Sequence, residues 1–214
     1  MINAADLVFD LDGTICDPFL GIYRSINFAL EHHGIAETSE SAVAKLIGPP
    51  LDEGFRLLLP EANDETIRSL VHKYRERYAQ VGFSENSLYA GIAEELENLA
   101  DLGLTLGVCT SKRVDFAEKI LQLFGLREYF SFVDGGDVGI KKSKQLAALL
   151  EANLVNGSSI MIGDRDVDIL SAHANGLRSA GVLWGYGSEA ELVDAGAQVL
   201  LSSPSELSTL ADSG

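Results

Sequence analysis

The chain has 214 residues, 46% of them hydrophobic, which is enough for one ordinary core and a smaller accessory unit. Its 16 basic residues are set against 32 acidic ones, a formal charge of −16, so its surface repels nucleic acid and anionic membrane and offers neither a non-specific foothold. A phosphorylated ligand would need local help from a metal or a few lysines.

No apolar stretch approaches the roughly 18 residues that span a bilayer, and Asp6 and Asp10 interrupt the start where a signal peptide would carry its basic and apolar regions. The two cysteines, Cys16 and Cys109, are read as reduced packing residues, so a soluble, cytoplasmic protein is expected. The composition carries no large interface signature, and a monomer or weak homodimer is the default.

The apolar run Leu7-Val8-Phe9 predicts a first buried strand that ends in Asp10-Leu11-Asp12-Gly13-Thr14. In an extended segment side chains at i and i+2 point the same way, so Asp10 and Asp12 can face one small substrate while Gly13 lets the backbone turn sharply. From about Asp17 to Gly82 the pattern is helical, with no convincing strand. There Ile67, Leu70, Val71, Tyr74 and Tyr78 follow helix spacing, and Gly48-Pro49-Pro50 must separate two helices because neither proline fits a helix interior. Beyond it, apolar runs at 104–108, 130–133, 160–162, 180–183 and 199–201 are strand candidates. Helical stripes such as Ile92, Leu96, Leu99 and Ala117, Ile120, Leu121, Phe124 lie between them. This alternation implies an α/β fold with a doubly wound parallel sheet: a core of residues 1–16 and 83–214, and an all-helical insertion, residues 17–82, after the first strand. After residue 202 a short helix at most is expected.

Four segments present a chemically capable residue directly after a strand run: Asp10 with Asp12, Thr110 with Ser111, Lys144 after the 130–133 strand, and Asp164 with Asp168. In open parallel sheets ligands bind at the carboxyl ends of strands, so these segments can converge on one crevice. Such a set can cleave a phosphate ester in two steps. Asp10 attacks phosphorus and forms an aspartyl-phosphate, which water then hydrolyses. Asp12 protonates the leaving oxygen and later deprotonates the water. Asp164 is the second carboxylate for a hard divalent ion beside Asp10, Thr110 can hydrogen-bond a phosphoryl oxygen, and a lysine offsets the local negative charge. Among Lys141, Lys142 and Lys144, the last is assigned because it immediately precedes the Leu146, Leu149, Leu150 stripe and so should open a helix. A calcium loop fails on spacing, since the glycine it needs at its sixth position is Ile15 or Ile169 here. Asp166 is read as a first-turn helix residue, and the four histidines have no metal spacing.

Asp10-Leu-Asp-Gly-Thr14, Thr110, Lys144 and Gly163-Asp164-Arg-Asp-Val-Asp168 resemble the four motifs of the haloacid dehalogenase superfamily, specifically its phosphatases with a helical cap after the first strand. The resemblance implies a Rossmann-like core, Mg2+, a metal ligand from the Asp12 backbone carbonyl, and Asp168 orienting metal waters or the lysine. The segment 181–187 with Glu191-Leu192 is similar to the tail of phosphoglycolate phosphatase-like members. Ser111 departs from the Asn that many phosphoglycolate phosphatases carry there, and Ser143-Lys144 before an apolar helix, together with Ile47-Gly48-Pro49-Pro50-Leu51, looks closer to nucleotidase-like relatives. Expected substrates are therefore small phosphorylated metabolites, phosphoglycolate-like or nucleoside monophosphates, with Lys45 or Arg56 presented by the cap to the leaving group. Asp12 argues against a dehalogenase. A sugar phosphomutase uses the same motifs and stays a rival, as does a non-catalytic phosphometabolite-binding module, which the presence of Asp10, Asp12 and Asp164 disfavours.

Overall fold

β1 (Leu7–Phe9) runs straight to the paired aspartates. β2 (Cys16–Asp17) leads into α1 (Phe19–His32), α2 (Glu40–Ala44), α3 (Leu51–Leu58) and α4 (Asp64–Gln80), and the chain returns through a 3-10 turn and β3 (Ser87–Leu88). Then α5 (Ile92–Asp101), β4 (Leu106–Thr110), α6 (Val114–Leu123), β5 (Phe130–Gly135), α7 (Lys142–Glu151), β6 (Ile160–Gly163), α8 (Asp166–Ala174), β7 (Arg178–Val182), α9 (Glu189–Asp194) and β8 (Val199–Leu201) alternate. The structure is a computed structural model and describes residues 6–213.

The six core strands form one parallel sheet in the order β5-β4-β1-β6-β7-β8. This is the Rossmann-like, doubly wound α/β arrangement expected from the alternation. Winding reverses between β1 and β6, and at such a switch point a crevice opens beyond the carboxyl ends of the two strands. Asp10 leaves β1 and Asp164 leaves β6 at that position.

Strand alternation divides the core into two layers. Leu7, Phe9, Ile160 and Ile162 face α5 and α6, packing with Leu96, Leu99, Ile120 and Leu121. Val8 and Met161 face the other way, onto Leu146 and Leu149 of α7 and Ala172 of α8. The tail is a 3-10 segment, Pro204–Ser213, whose Leu207 and Leu210 are buried in the first layer. Among the described residues no helix is long and apolar enough to cross a membrane.

The helices between β2 and β3 have their own core. Ile22, Ile26 and Leu30 of α1 pack on Ile67, Leu70, Val71, Tyr74 and Tyr78 of α4, with Phe55 of α3 between them. Helix α4 begins where the Asn63 side chain accepts a hydrogen bond from the Thr66 amide at 2.9 Å, a cap that contributes about 1 kcal/mol. Phe116 of α6 belongs to the same cluster and joins the cap to the core. A strand enters the region read as helical only at Asp17, the last residue of β2, which pairs antiparallel with β3 beyond that region, Cys16 opposite Leu88 and Asp17 opposite Ser87. Two-residue strands are too short to show a period of two, which is why the ribbon leaves no sequence signal.

Candidate active site

Asp10 follows β1 directly, its amide donating to the Ile162 carbonyl at 2.8 Å. One of its oxygens, Oδ1, accepts from the Leu11 amide at 2.7 Å. The backbone then wraps into a tight loop in which the Leu11 carbonyl accepts from the amides of Ile15 and Cys16 at 2.9 and 3.1 Å. Gly13 sits in that loop at φ +82°, and a Cβ placed there would lie 2.2 Å from Asp164 Oδ2. Gly13 thus serves both the left-handed turn and the close approach of Asp164.

Asp10, Asp164 and Asp168 are buried and each offers one oxygen within 4.8 Å of the others. Lys142 is equally buried. Its Nζ lies 2.8 Å from Asp10 Oδ2 and also pairs with Asp168 Oδ1. Asp164 Oδ2 accepts from the Tyr186 amide at 2.8 Å, and Asp168 Oδ2 from the Arg165 amide at 3.1 Å. Three carboxylates against one ammonium leave the floor of the crevice two negative charges in excess when all are ionised. Burial pushes the Asp164 carboxyl up to about 8, and the charges of Asp168 and Asp10 add to the effect. An all-oxygen donor set with a deficit of two charges fits a hard divalent cation, whose binding would hold Asp164 ionised.

Lys142, and not the Lys144 expected from sequence, is the lysine that reaches the acidic floor. Helix α7 starts at Lys142, not Lys144. Lys142, Gln145, Leu146 and Leu149 share its buried face, whereas Lys144 falls on the exposed face. Counting back from Leu146 and Leu149 by one and two helical turns reaches Lys142, so the stripe itself held the phase that selects it. Gln145 braces the neighbouring strand end, donating to the Thr110 carbonyl at 3.0 Å and to Asp134 Oδ2 at 2.7 Å.

Asp12 does not join the acidic floor. Its Oδ2 pairs with Lys112 Nζ at 2.7 Å, while its Oδ1 is buried without a hydrogen-bond partner. Burial raises the Asp12 carboxyl and Lys112 works against that rise. Lys112 loses solvation by burial, yet Asp12 carries it well above the usual lysine range. The Lys112 amide donates to the Thr110 hydroxyl oxygen at 3.3 Å, which leaves that hydroxyl's own proton free to donate elsewhere. Lys112 Nζ also donates to the Tyr78 hydroxyl of α4 at 2.8 Å.

Between this site and the cap lies a cleft. Asp10, Asp12, Thr110 and Ser111 line it from the core, and Ile22, Ile26, Ile47, Phe55 and Tyr74 line it from the cap. The two expected cap cations are elsewhere. Lys45 is exposed and outside the cleft. Arg56 points along the cap surface to Asp64, 2.9 Å away. The cations that do line the cleft are Arg75, Lys112 and Arg113, none singled out from sequence, and each is already paired with a carboxylate: Asp137, Asp12 and Asp115. Lys112 was within reach of sequence reasoning, because it stands two residues beyond Thr110 at the same strand end. Arg75 had only the signature of a polar face of α4.

A family model described as haloacid dehalogenase-like hydrolase matches residues 7–182, the whole span from β1 to the end of β7. The chain belongs to that family. A 5'-nucleotidase of Pseudomonas aeruginosa is 39% identical to this family member over 191 residues, covering 87% of this chain and 86% of the relative. A phosphoglycolate phosphatase of Pectobacterium atrosepticum is 34% identical over 188 residues, covering 84% and 80%. Among solved structures, a predicted phosphatase from Clostridium acetobutylicum superposes with a TM-score of 0.91 at 33% identity, over 99% of this chain and 100% of that one. The haloacid dehalogenase-like chain is thus an enzyme of the phosphoric monoester hydrolase class.

Proposed function

We propose that this hydrolase is a Mg2+-dependent phosphatase that cleaves a small phosphomonoester through an aspartyl-phosphate on Asp10. The observation that carries the reading is the buried Asp10, Asp164, Asp168 floor, two negative charges in excess when all three are ionised, set beneath a cleft that also holds Asp12. Asp10, Asp164 and the Asp12 backbone carbonyl would hold the ion, with Asp168 fixing Lys142. When bound, the ion supplies charge neutralisation for the approach of a phosphoryl group to Asp10.

The chain's own residues account for the rest. Asp10 attacks phosphorus and the ester P–O bond breaks. Asp12 delivers its proton to the leaving oxygen, giving a neutral alcohol. In the second half Asp12 takes a proton from water, which attacks the acyl phosphate, releasing phosphate and restoring Asp10. Lys142 holds Asp10 in place and Thr110 donates its hydroxyl proton to a phosphoryl oxygen. Both cysteines are buried and free, which supports a reducing, cytoplasmic setting.

Between the two leading substrate classes, the cleft lining favours a nucleoside monophosphate. A substrate carboxylate such as that of phosphoglycolate wants an unengaged cation, and Arg75, Lys112 and Arg113 all have carboxylate partners. The cap wall instead offers apolar and aromatic surface, Ile22, Ile26, Phe55 and Tyr74, suited to the flat face of a base. Phosphate release from p-nitrophenyl phosphate with and without Mg2+, followed by a panel of nucleoside monophosphates and phosphoglycolate, tests the reading. Turnover by Asp10→Asn, or none by the parent enzyme with Mg2+, would refute it.

A further inference from the structure

The Lys112 ammonium has two partners that belong to different parts of the molecule. Its Nζ is 2.7 Å from Asp12 Oδ2 in the core and 2.8 Å from the Tyr78 hydroxyl in the cap. It also lies 4.6 Å from the centre of the Tyr78 ring. Its side chain is only 7% exposed. Tyr78 is itself held firmly: it stacks on Tyr74 at 5.3 Å, meets the edge of Phe116 at 5.1 Å, and its oxygen receives a second hydrogen bond from Asn86 at 3.3 Å. The Lys112 backbone is fixed too, through its amide to Thr110.

We propose that Lys112 is a positioning residue that makes the acid/base work of Asp12 conditional on the docked cap, with Tyr78 as the cap's half of the connection. This rests on the reading of Asp12 as the group that protonates the leaving oxygen. A carboxyl has two oxygens, and Lys112 takes one of them. That leaves Oδ1, buried and without a partner in a cleft-lining residue, as the oxygen that carries the proton. Without Lys112 the Asp12 side chain could rotate and turn either oxygen, or neither, toward the leaving group. Without Tyr78 the ammonium keeps Asp12 but loses the hydroxyl that fixes its direction. Cap docking therefore does more than exclude water: it completes the hydrogen-bond chain Tyr78, Lys112, Asp12 at the moment the substrate is enclosed.

The test compares two esters of the same shape, phenyl phosphate and p-nitrophenyl phosphate, in the Mg2+-loaded enzyme. Phenoxide is a poor leaving group and needs the proton, whereas p-nitrophenoxide departs largely without it. The readout is kcat/KM, which covers only the steps up to departure of the leaving group and so omits hydrolysis of the acyl phosphate. Lys112→Ala should lower kcat/KM for phenyl phosphate about 100-fold, the usual scale of general acid catalysis, and for p-nitrophenyl phosphate less than about 10-fold. Tyr78→Phe, which removes one oxygen from a packed ring, should show the same ordering at about a tenth of the size. Equal losses on both esters, or none, would overturn the proposal, since a purely structural lysine has no reason to distinguish leaving groups. Asp12→Asn separates the two levels. If it shows the leaving-group dependence and the Lys112 and Tyr78 variants do not, only the positioning role falls. If Asp12→Asn itself shows no dependence, the acid role of Asp12 falls and the positioning role with it.

Discussion

Replacing Lys142 by Met removes the ammonium that bridges Asp10 and Asp168 while keeping a straight, similarly long side chain on α7. At 2.8 Å from Asp10 Oδ2, and with an effective dielectric of about 20, the attraction between the two unit charges is about 6 kcal/mol. Much of that offsets the desolvation of a lysine buried as completely as this one. The measurable cost of stripping one partner from such a pair is about 3–5 kcal/mol, because the carboxylates left behind stay buried. In turnover, loss of one aimed electrostatic group corresponds to about 10²–10³-fold in kcat. Lys144→Ala is the control. On the exposed face of the same helix it should change stability by less than about 0.5 kcal/mol and kcat by less than about twofold. The assay is p-nitrophenyl phosphate hydrolysis at saturating Mg2+ together with urea unfolding of all three proteins. If Lys142→Met keeps kcat within about threefold of the parent, or if Lys144→Ala falls as far, then the helical phase argument that places Lys142 on the floor is wrong.

Other outcomes follow from single contacts. Excess EDTA should abolish turnover and Mg2+ should restore it. Adding Mg2+ to metal-free enzyme should also raise its melting temperature, since the ion relieves the crowding of Asp10, Asp164 and Asp168; a melting curve indifferent to Mg2+ would count against the site. Gly13→Ala should lower stability by more than about 1 kcal/mol and cut activity at least tenfold, because the new Cβ meets Asp164 and the residue sits at positive φ. Lys45→Ala and Arg56→Ala should leave kcat/KM within about twofold, since neither side chain reaches the cleft. Glu85 gives a pH prediction away from the site: hydrogen bonds from Arg77 and then Arg24 hold its carboxyl below the usual range. A depressed folded value means the stabilisation is present above the unfolded carboxyl range and lost as pH falls through the folded value. The gap in urea midpoint between the parent and Glu85→Gln should therefore shrink between about pH 6 and about pH 3.

Much of the fold was legible because its central strands are buried on both faces and its helices are long enough to show a phase. Each of the six apolar runs became a strand of the parallel sheet, and the doubled acidic signals at Asp10 and Asp164 fell at the switch point where winding reverses. Reading failed where the deciding quantity was direction rather than spacing. Lys144 was chosen for its nearness to the leucine stripe, whereas one turn of phase puts Lys142 inside and Lys144 outside. Lys45 and Arg56 were chosen as cap cations by position along the chain. The packing of α1 against α4 instead presents an apolar and aromatic wall, and Arg75 is the cap cation that reaches the cleft. The pairing of Lys112 with Asp12 and Tyr78 joins residues 100 and 34 positions away, and no local pattern encodes such a meeting.

The ribbon of β2 and β3 has a consequence for how such a protein can diverge. The insertion leaves the core at Asp17 and rejoins it at Ser87, residues that sit opposite one another in the same antiparallel pair. The core therefore sees the whole insertion as two chain ends a single strand spacing apart, whatever lies between them. A segment spliced across so narrow a gap can lengthen, shorten or change its helices without shifting a strand of the sheet or the aspartates at its edge. On the proposed function, substrate preference and phosphoryl chemistry would sit on separately replaceable parts. A chimera that exchanges the segment between the ribbon strands with that of a relative would be expected to keep its acidic floor and acquire a different cleft wall.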